Sequence, residues 1–331
     1  MLDIHELMTR SEPHINIVNA WAKAWDLLGG RFFHPACSVS GGADSDIMLH
    51  IIHSLDDDHR VSYIWFNTGL EYEATKTHLR FLEDKYNIAI IRLPPVMPVA
   101  LTVKKYGYPF LSKFVSARIS QLQRHGFDFK EGHVYDDDIR QYPDCKDALC
   151  WWHNKRSFKT WRIDRYKLLK EFLIAHPPHI PISDLCCEFS KKKVAHNFIH
   201  DNNCDLNIIG TRKLEGGIRQ AHNSCFNANS KGLATYRPLF WFSNDDKRAF
   251  ENIFRVTHSE CYTRYGLQRT GCAGCPFNPH VFTEIEQVRP FEEGIIHAAE
   301  NVFAPAYQYI KLFREFRVFY GLSLPFEEVI P

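Results

Sequence analysis

The chain has 331 residues, 45% hydrophobic and 24% charged, which is enough for one large or two modest domains with a full apolar core. Its formal net charge of +1 leaves no global field to draw it onto nucleic acid or an anionic membrane, so any such contact has to be a local patch. No apolar stretch approaches bilayer length and the opening residues lack the basic-then-apolar order of a secretory signal, so the expectation is a cytoplasmic protein, with no membrane partner, whose ten cysteines stay mostly as thiols.

The chain then reads as strands alternating with helices. A short strand over 35–40 leads through two glycines into a helix over 46–55, where Ile47, Met48, Leu49, Ile51, Ile52 and Leu55 recur at helical spacing. A second strand over 61–67 is followed by an amphipathic helix over 71–86, and a third strand over 88–93 ends at Pro94-Pro95. This order predicts an α/β fold with a mostly parallel, twisted sheet covered by helices. The stretch 111–176 reads as a helical insertion with Trp151, Trp152 and Trp161 as apolar mass. A helix over 186–202 precedes a fourth strand over 206–210, a glycine- and asparagine-rich stretch over 215–232 suits a mobile loop, and an aromatic helix over 298–320 closes the chain. The domain reading is 1–110 and 181–245 as two halves of a nucleotide-binding domain, 111–180 as the insertion, and 246–331 as a cysteine-containing helical region.

Ser40-Gly41-Gly42-Ala43-Asp44-Ser45 sits at the first strand-to-helix turn. Glycines without a Cβ let backbone N–H groups approach an anion, and the following helix adds partial positive charge. Ser40 and Ser45 can donate to phosphate oxygens, and Asp44 can orient the loop or hold Mg²⁺. The segment resembles the SGGxDS signature of PP-loop ATP pyrophosphatases, which split ATP between its α and β phosphates.

Two further segments resemble the phosphoadenosine phosphosulfate (PAPS) reductase branch of that superfamily. Asn67-Thr68-Gly69-Leu70-Glu71-Tyr72-Glu73-Ala74-Thr75 is similar to its DTGxxFPET segment, with Asn67 in place of the acid. Gly210 to Arg219 is similar to its GxRxxExxxR region, which makes Arg212 and Arg219 the expected oxyanion ligands. Tyr236-Arg-Pro-Leu-Phe-Trp241 is similar to an RPLxxW segment found in the same branch. By this resemblance Thr68 and Gly69, with the 40–45 loop and Arg212, contact an adenine nucleotide, ATP or the sulfonucleotides PAPS and APS.

Cys186-Cys187 and Cys272-Ala-Gly-Cys275 offer four thiolates from two distant segments, suited to an iron–sulfur cluster or Zn²⁺. Adjacent cysteines diverge on a helix, which favours the separate irons of [4Fe–4S] over a single tetrahedral ion; buried structural thiols are the remaining alternative. The arrangement resembles the CC…CxxC pattern of assimilatory sulfonucleotide reductases. Those enzymes also attack their substrate with a cysteine near the C-terminus, and none lies beyond Cys275 here. Cys225 is the candidate for a relocated nucleophile or an alternative cluster ligand.

The leading expectation is therefore an ATP pyrophosphatase that adenylates an acceptor and takes part in sulfur transfer with an iron–sulfur cluster. Asp44, Arg212, Arg219 and Cys225 carry the chemistry in that reading. A cysteine desulfurase would be a fitting sulfur donor, and a nucleic-acid acceptor would need a partner protein to present it. Two alternatives are a sulfonucleotide reductase using Cys225 and a regulatory module that senses adenine nucleotide without turnover.

Overall fold

A computed structural model describes residues 14–216, 219, 222–228 and 232–322. The described residues form two compact units: one within 14–95 and 191–272, the other within 96–190 and 273–322.

The first unit is built on a six-stranded sheet, in the order β3-β2-β1-β4-β6-β5. The strands are β1 Pro35–Ser38, β2 Ser62–Phe66, β3 Ile90–Leu93, β4 Leu206–Ile209, β5 Phe226–Ala228 and β6 Ala234–Tyr236. All neighbours pair in parallel except β5, which runs antiparallel to β6 at the edge. β1 is central: Cys37 faces Tyr63 of β2 on one side and Ile208 of β4 on the other. Ala36 and Cys37 are fully buried, as expected of a parallel strand covered on both faces. From β1 the chain moves outward through β2 and β3, then returns to β4 on β1's other side. That reversal creates a switch point between β1 and β4, where open parallel sheets take their ligands.

The helix after β1 starts earlier than its apolar spacing indicates, at Ala43, and runs to His53. Gly42 is its extended N-cap residue, and Asp44 and Asp46 fill the first turn, where negative charge complements the helix dipole. Half of the glycine motif is thus helix. The next helix, Glu73–Tyr86, begins two residues later than expected because Glu71 bonds to the turn before it. The stretch expected to be one mobile loop over 215–232 contains β5; its residues 217–218, 220–221 and 229–231 lie outside the described residues. Asn227 and Ala228 give no apolar alternation, so the strand owes its form to pairing with β6.

The second unit is helical. Its elements include Val99–Tyr106, Lys113–Arg124, Tyr135–Gln141, Lys146–Trp152, Leu169–Ala175, Val281–Val288 and the 27-residue Glu293–Phe319 helix, which begins five residues before the expected start. Trp151 and Trp152 are fully buried beside Phe110, Phe172 and Phe313. Large aromatics thus fill space that short helices joined by 3₁₀ turns leave open. The expected 186–202 helix is a helical turn at Leu185–Cys187, a π-turn at Glu188–Lys192 and a helix at Lys193–Asp201. Among the described residues no helix is long and apolar enough to cross a membrane.

Candidate nucleotide site

The loop after β1 is held by its own polar groups. Ser40 N donates to Ser45 Oγ at 2.8 Å, and Gly42 N donates to Ser40 Oγ at 3.3 Å. The two serines that the sequence assigns to phosphate therefore also shape the loop as acceptors, each keeping its hydroxyl proton to donate. Gly41 takes a φ of +69°, which only glycine adopts without strain. A Cβ on Gly42 would lie 2.9 Å from Thr270 Oγ1 and 3.3 Å from the Tyr262 hydroxyl, so these two side chains border the glycine face. The Tyr262 hydroxyl also accepts the Ala43 N–H at 3.1 Å, a donor at the helix N-terminus. Burial raises the Tyr262 pKa and keeps that hydroxyl protonated.

Asp44 joins the loops on either side of the switch point. Its Oδ2 accepts from Arg212 Nε at 2.9 Å, and its Oδ1 lies 2.9 Å from Lys247 Nζ. Arg212 Nη1 donates to Asn244 Oδ1 at 2.9 Å, and this second anchor fixes the plane of the guanidinium. Glu215 Oε2 accepts the Arg212 backbone N–H at 3.1 Å, while Glu215 Oε1 pairs with Arg219 at 3.4 Å. The two motif arginines are thus tied through one carboxylate. Asp44, assigned to Mg²⁺ from the sequence, has each oxygen against a cation. Lys247, which carries no motif signal, is the residue that motif reading missed here.

Behind the loop lies a second missed group. Asp46 is 1% exposed, and its Oδ2 meets His78 Nε2 at 3.0 Å and His258 Nδ1 at 2.8 Å. His258 Nε2 meets Glu251 Oε1 at 3.0 Å. Burial pulls the His258 pKa down, but its bonds to Asp46 and Glu251 outweigh that and bring it to about 9. A charged His258 thus links the helix after β1 to the Asn244–Phe254 helix and to the segment carrying Tyr262. These four residues come from four separate stretches at no fixed spacing, so no linear pattern marks them.

The turn after β2 is organised by Glu71, which is 5% exposed. Its carboxylate accepts from Thr68 N at 3.0 Å, Thr68 Oγ1 at 2.5 Å and Gly69 N at 3.0 Å. Thr68 is buried, and its hydroxyl lies 3.3 Å from Cys272 Sγ. The β2 turn is therefore in direct contact with one of the four cysteines proposed as ligands. Cys186, Cys187 and Cys275 belong to the second unit. Four thiols have the donor chemistry that a cluster takes. Among the described residues, no group of three or more His, Cys, Asp or Glu side chains is arranged to hold a metal ion. Cys225 is half-buried, packs against the first unit's core, and accepts the Arg237 N–H on its carbonyl at 2.8 Å. Cys145 and Cys261 are fully buried.

Residues 34–122 match the family described as the phosphoadenosine phosphosulfate reductase domain. No curated protein matches the chain. Among solved structures it is similar to a phosphoadenylyl-sulfate (PAPS) reductase from Candida auris in a phosphate complex, at 13% identity and a TM-score of 0.42, over 82% of this chain and 96% of that one. It is also similar to the U34-tRNA thiolase NcsA from Methanococcus maripaludis with its [4Fe–4S] cluster, at 13% identity and a TM-score of 0.36, over 90% and 78% of the two chains. An NH3-dependent NAD synthetase from Campylobacter jejuni in complex with nitrate shows 9% identity and a TM-score of 0.36, over 89% and 95%. The matched segment 34–122 takes in both the 40–45 loop and the turn after β2.

Proposed function

We propose that the chain is an ATP pyrophosphatase that activates an acceptor as its adenylate for sulfur transfer. The observation that carries this reading is the glycine loop at the switch point, opening a helix and bordered by Arg212 and Lys247. An acceptor oxygen attacks the α-phosphorus, the bond from that phosphorus to the α–β bridging oxygen breaks, and pyrophosphate leaves. Ser40, Gly41, Gly42 and Ser45 hold the leaving pyrophosphate, while Thr68 and Gly69 contact the nucleotide. Arg212 and Arg219 neutralise charge gathering on the phosphates. Asp44 sets Arg212 and Lys247 in place, and Mg²⁺ would enter with the nucleotide. In the same reading Cys186, Cys187, Cys272 and Cys275 hold a [4Fe–4S] cluster, which when bound would supply the sulfur chemistry. A sulfide-level nucleophile from a sulfur donor such as a cysteine desulfurase system then attacks the acceptor carbon, a carbon–sulfur bond forms, the carbon–oxygen bond breaks, and AMP leaves with that oxygen.

Product analysis of the anaerobically purified protein tests this. With ATP and Mg²⁺, AMP and pyrophosphate should form, and Ser45→Ala should abolish both without changing the iron content. Sulfite from PAPS and a thiol, lost in Cys225→Ser, with no pyrophosphate from ATP, would overturn the proposal in favour of reduction.

A further inference from the structure

The second unit carries a concentration of charge that the chain total hides. Of the eighteen residues from 153 to 170, seven are Lys or Arg and only Asp164 is acidic, in a protein whose net charge is +1. The segment runs through 3₁₀ turns at Lys159–Trp161 and Ile163–Arg165 rather than along a regular helix. Lys155 and Lys159 are exposed, and between them Phe158 is 72% exposed, among the most exposed large apolar side chains in the described chain.

This surface is built on a rigid base. The Trp161 ring packs edge-on against Phe114 at 5.0 Å, and the Arg118 guanidinium lies over Phe114 at 5.0 Å. Arg118 and Arg156 share the Asp147 carboxylate, at 3.3 and 2.6 Å. Arg162 Nε is fixed by the Arg156 carbonyl at 2.6 Å. Along 153–170 every charged side chain but Asp164 is basic, and Phe158 stands uncovered between two exposed lysines.

We infer that the 153–170 segment is a docking surface for single-stranded nucleic acid. Lysines at its edge meet backbone phosphates, and Phe158 offers an open ring on which an unpaired base stacks. A duplex presents no free base face to such a ring. An anionic membrane would need a broad apolar face to insert, and the turns at 159–165 form no amphipathic helix. Docking of this kind goes beyond the pyrophosphatase reading and does not depend on it.

Fluorescence anisotropy of the full-length protein with labelled 20-nucleotide RNA and DNA single strands tests it. The wild type should bind single strands more tightly than the corresponding duplex and more tightly than phosphatidylserine vesicles. Lys155→Gln with Lys159→Gln should make the salt dependence of log K shallower by about 1.4, at ~0.7 for each phosphate no longer neutralised. Phe158→Ala should weaken single-strand binding about tenfold and leave the salt slope unchanged, as loss of stacking requires. RNA-only or DNA-only binding of the wild type identifies the source and supports the surface equally. Absence of oligonucleotide binding, equal binding of duplex, a preference for vesicles, or unchanged affinity and slope in these variants would overturn it.

Discussion

The two units spend their side chains differently. The first gathers polar and charged groups near the ends of its parallel strands, where Asp44 fixes Arg212 and Lys247, and Glu71 fixes Thr68. The second buries its aromatics: Trp151, Trp152, Phe110, Phe172 and Phe313 are each 0% exposed. Lys155, Phe158 and Lys159 are left exposed outside that core. The contrast teaches that mutations in the first unit should separate activity from stability, whereas core mutations in the second should not.

The largest effect should come from the second unit. Trp152→Ala removes a fully buried ring and should cost about 3–5 kcal/mol of stability, read by chemical denaturation. A cost below about 1 kcal/mol would mean that the aromatics do not form a packed core. Next, Arg212→Ala should lower pyrophosphate release about a hundredfold or more while shifting stability little, because the side chain's role is electrostatic. A large stability loss with proportionate activity loss would erase the distinction between the units.

Two half-buried histidines of the first unit give a pH signature. His258, with its pKa raised to about 9, stabilises the fold fully below its ordinary value near 6.5, and that contribution is lost as pH rises through about 9. His50 works in the other direction. Burial first, then the nearby Lys85 and His53, lower its pKa to about 4, so stability falls as pH drops from about 6.5 toward 4. The denaturation midpoint should therefore decline on both sides of neutrality, and His258→Gln should flatten the alkaline limb alone. An unchanged alkaline limb in that variant would remove His258 from the network. The smallest effect is expected from Tyr262→Phe. Freeing the Ala43 N–H from the tyrosine hydroxyl should tighten pyrophosphate binding a few-fold, and weaker binding would make Tyr262 a ligand instead of a competitor.

What was legible in the sequence follows the same division. The strand, glycine turn and helix around Gly41 and Gly42 could be read because a positive φ and a close backbone approach admit few other residues. The parallel sheet was legible from its apolar runs. The Asp46–His78–His258–Glu251 network was not, since its members lie as far as 212 residues apart and meet only through the fold. β5 escaped because an edge strand with Asn227 and Ala228 owes its form to a neighbour. The basic segment 153–170 was hidden by near-neutral totals, although its residues stand in one run.

The central claim is that the 40–45 loop is a polyphosphate cradle, and calorimetric titration of pyrophosphate into the wild type and Gly42→Ala tests it most directly. Gly42 has an ordinary backbone conformation, with φ −94° and ψ 155°, and the added methyl meets only side-chain atoms, so the fold should survive. The account predicts binding by the wild type and its loss in Gly42→Ala at unchanged thermal stability. Equal binding by the two proteins would contradict it.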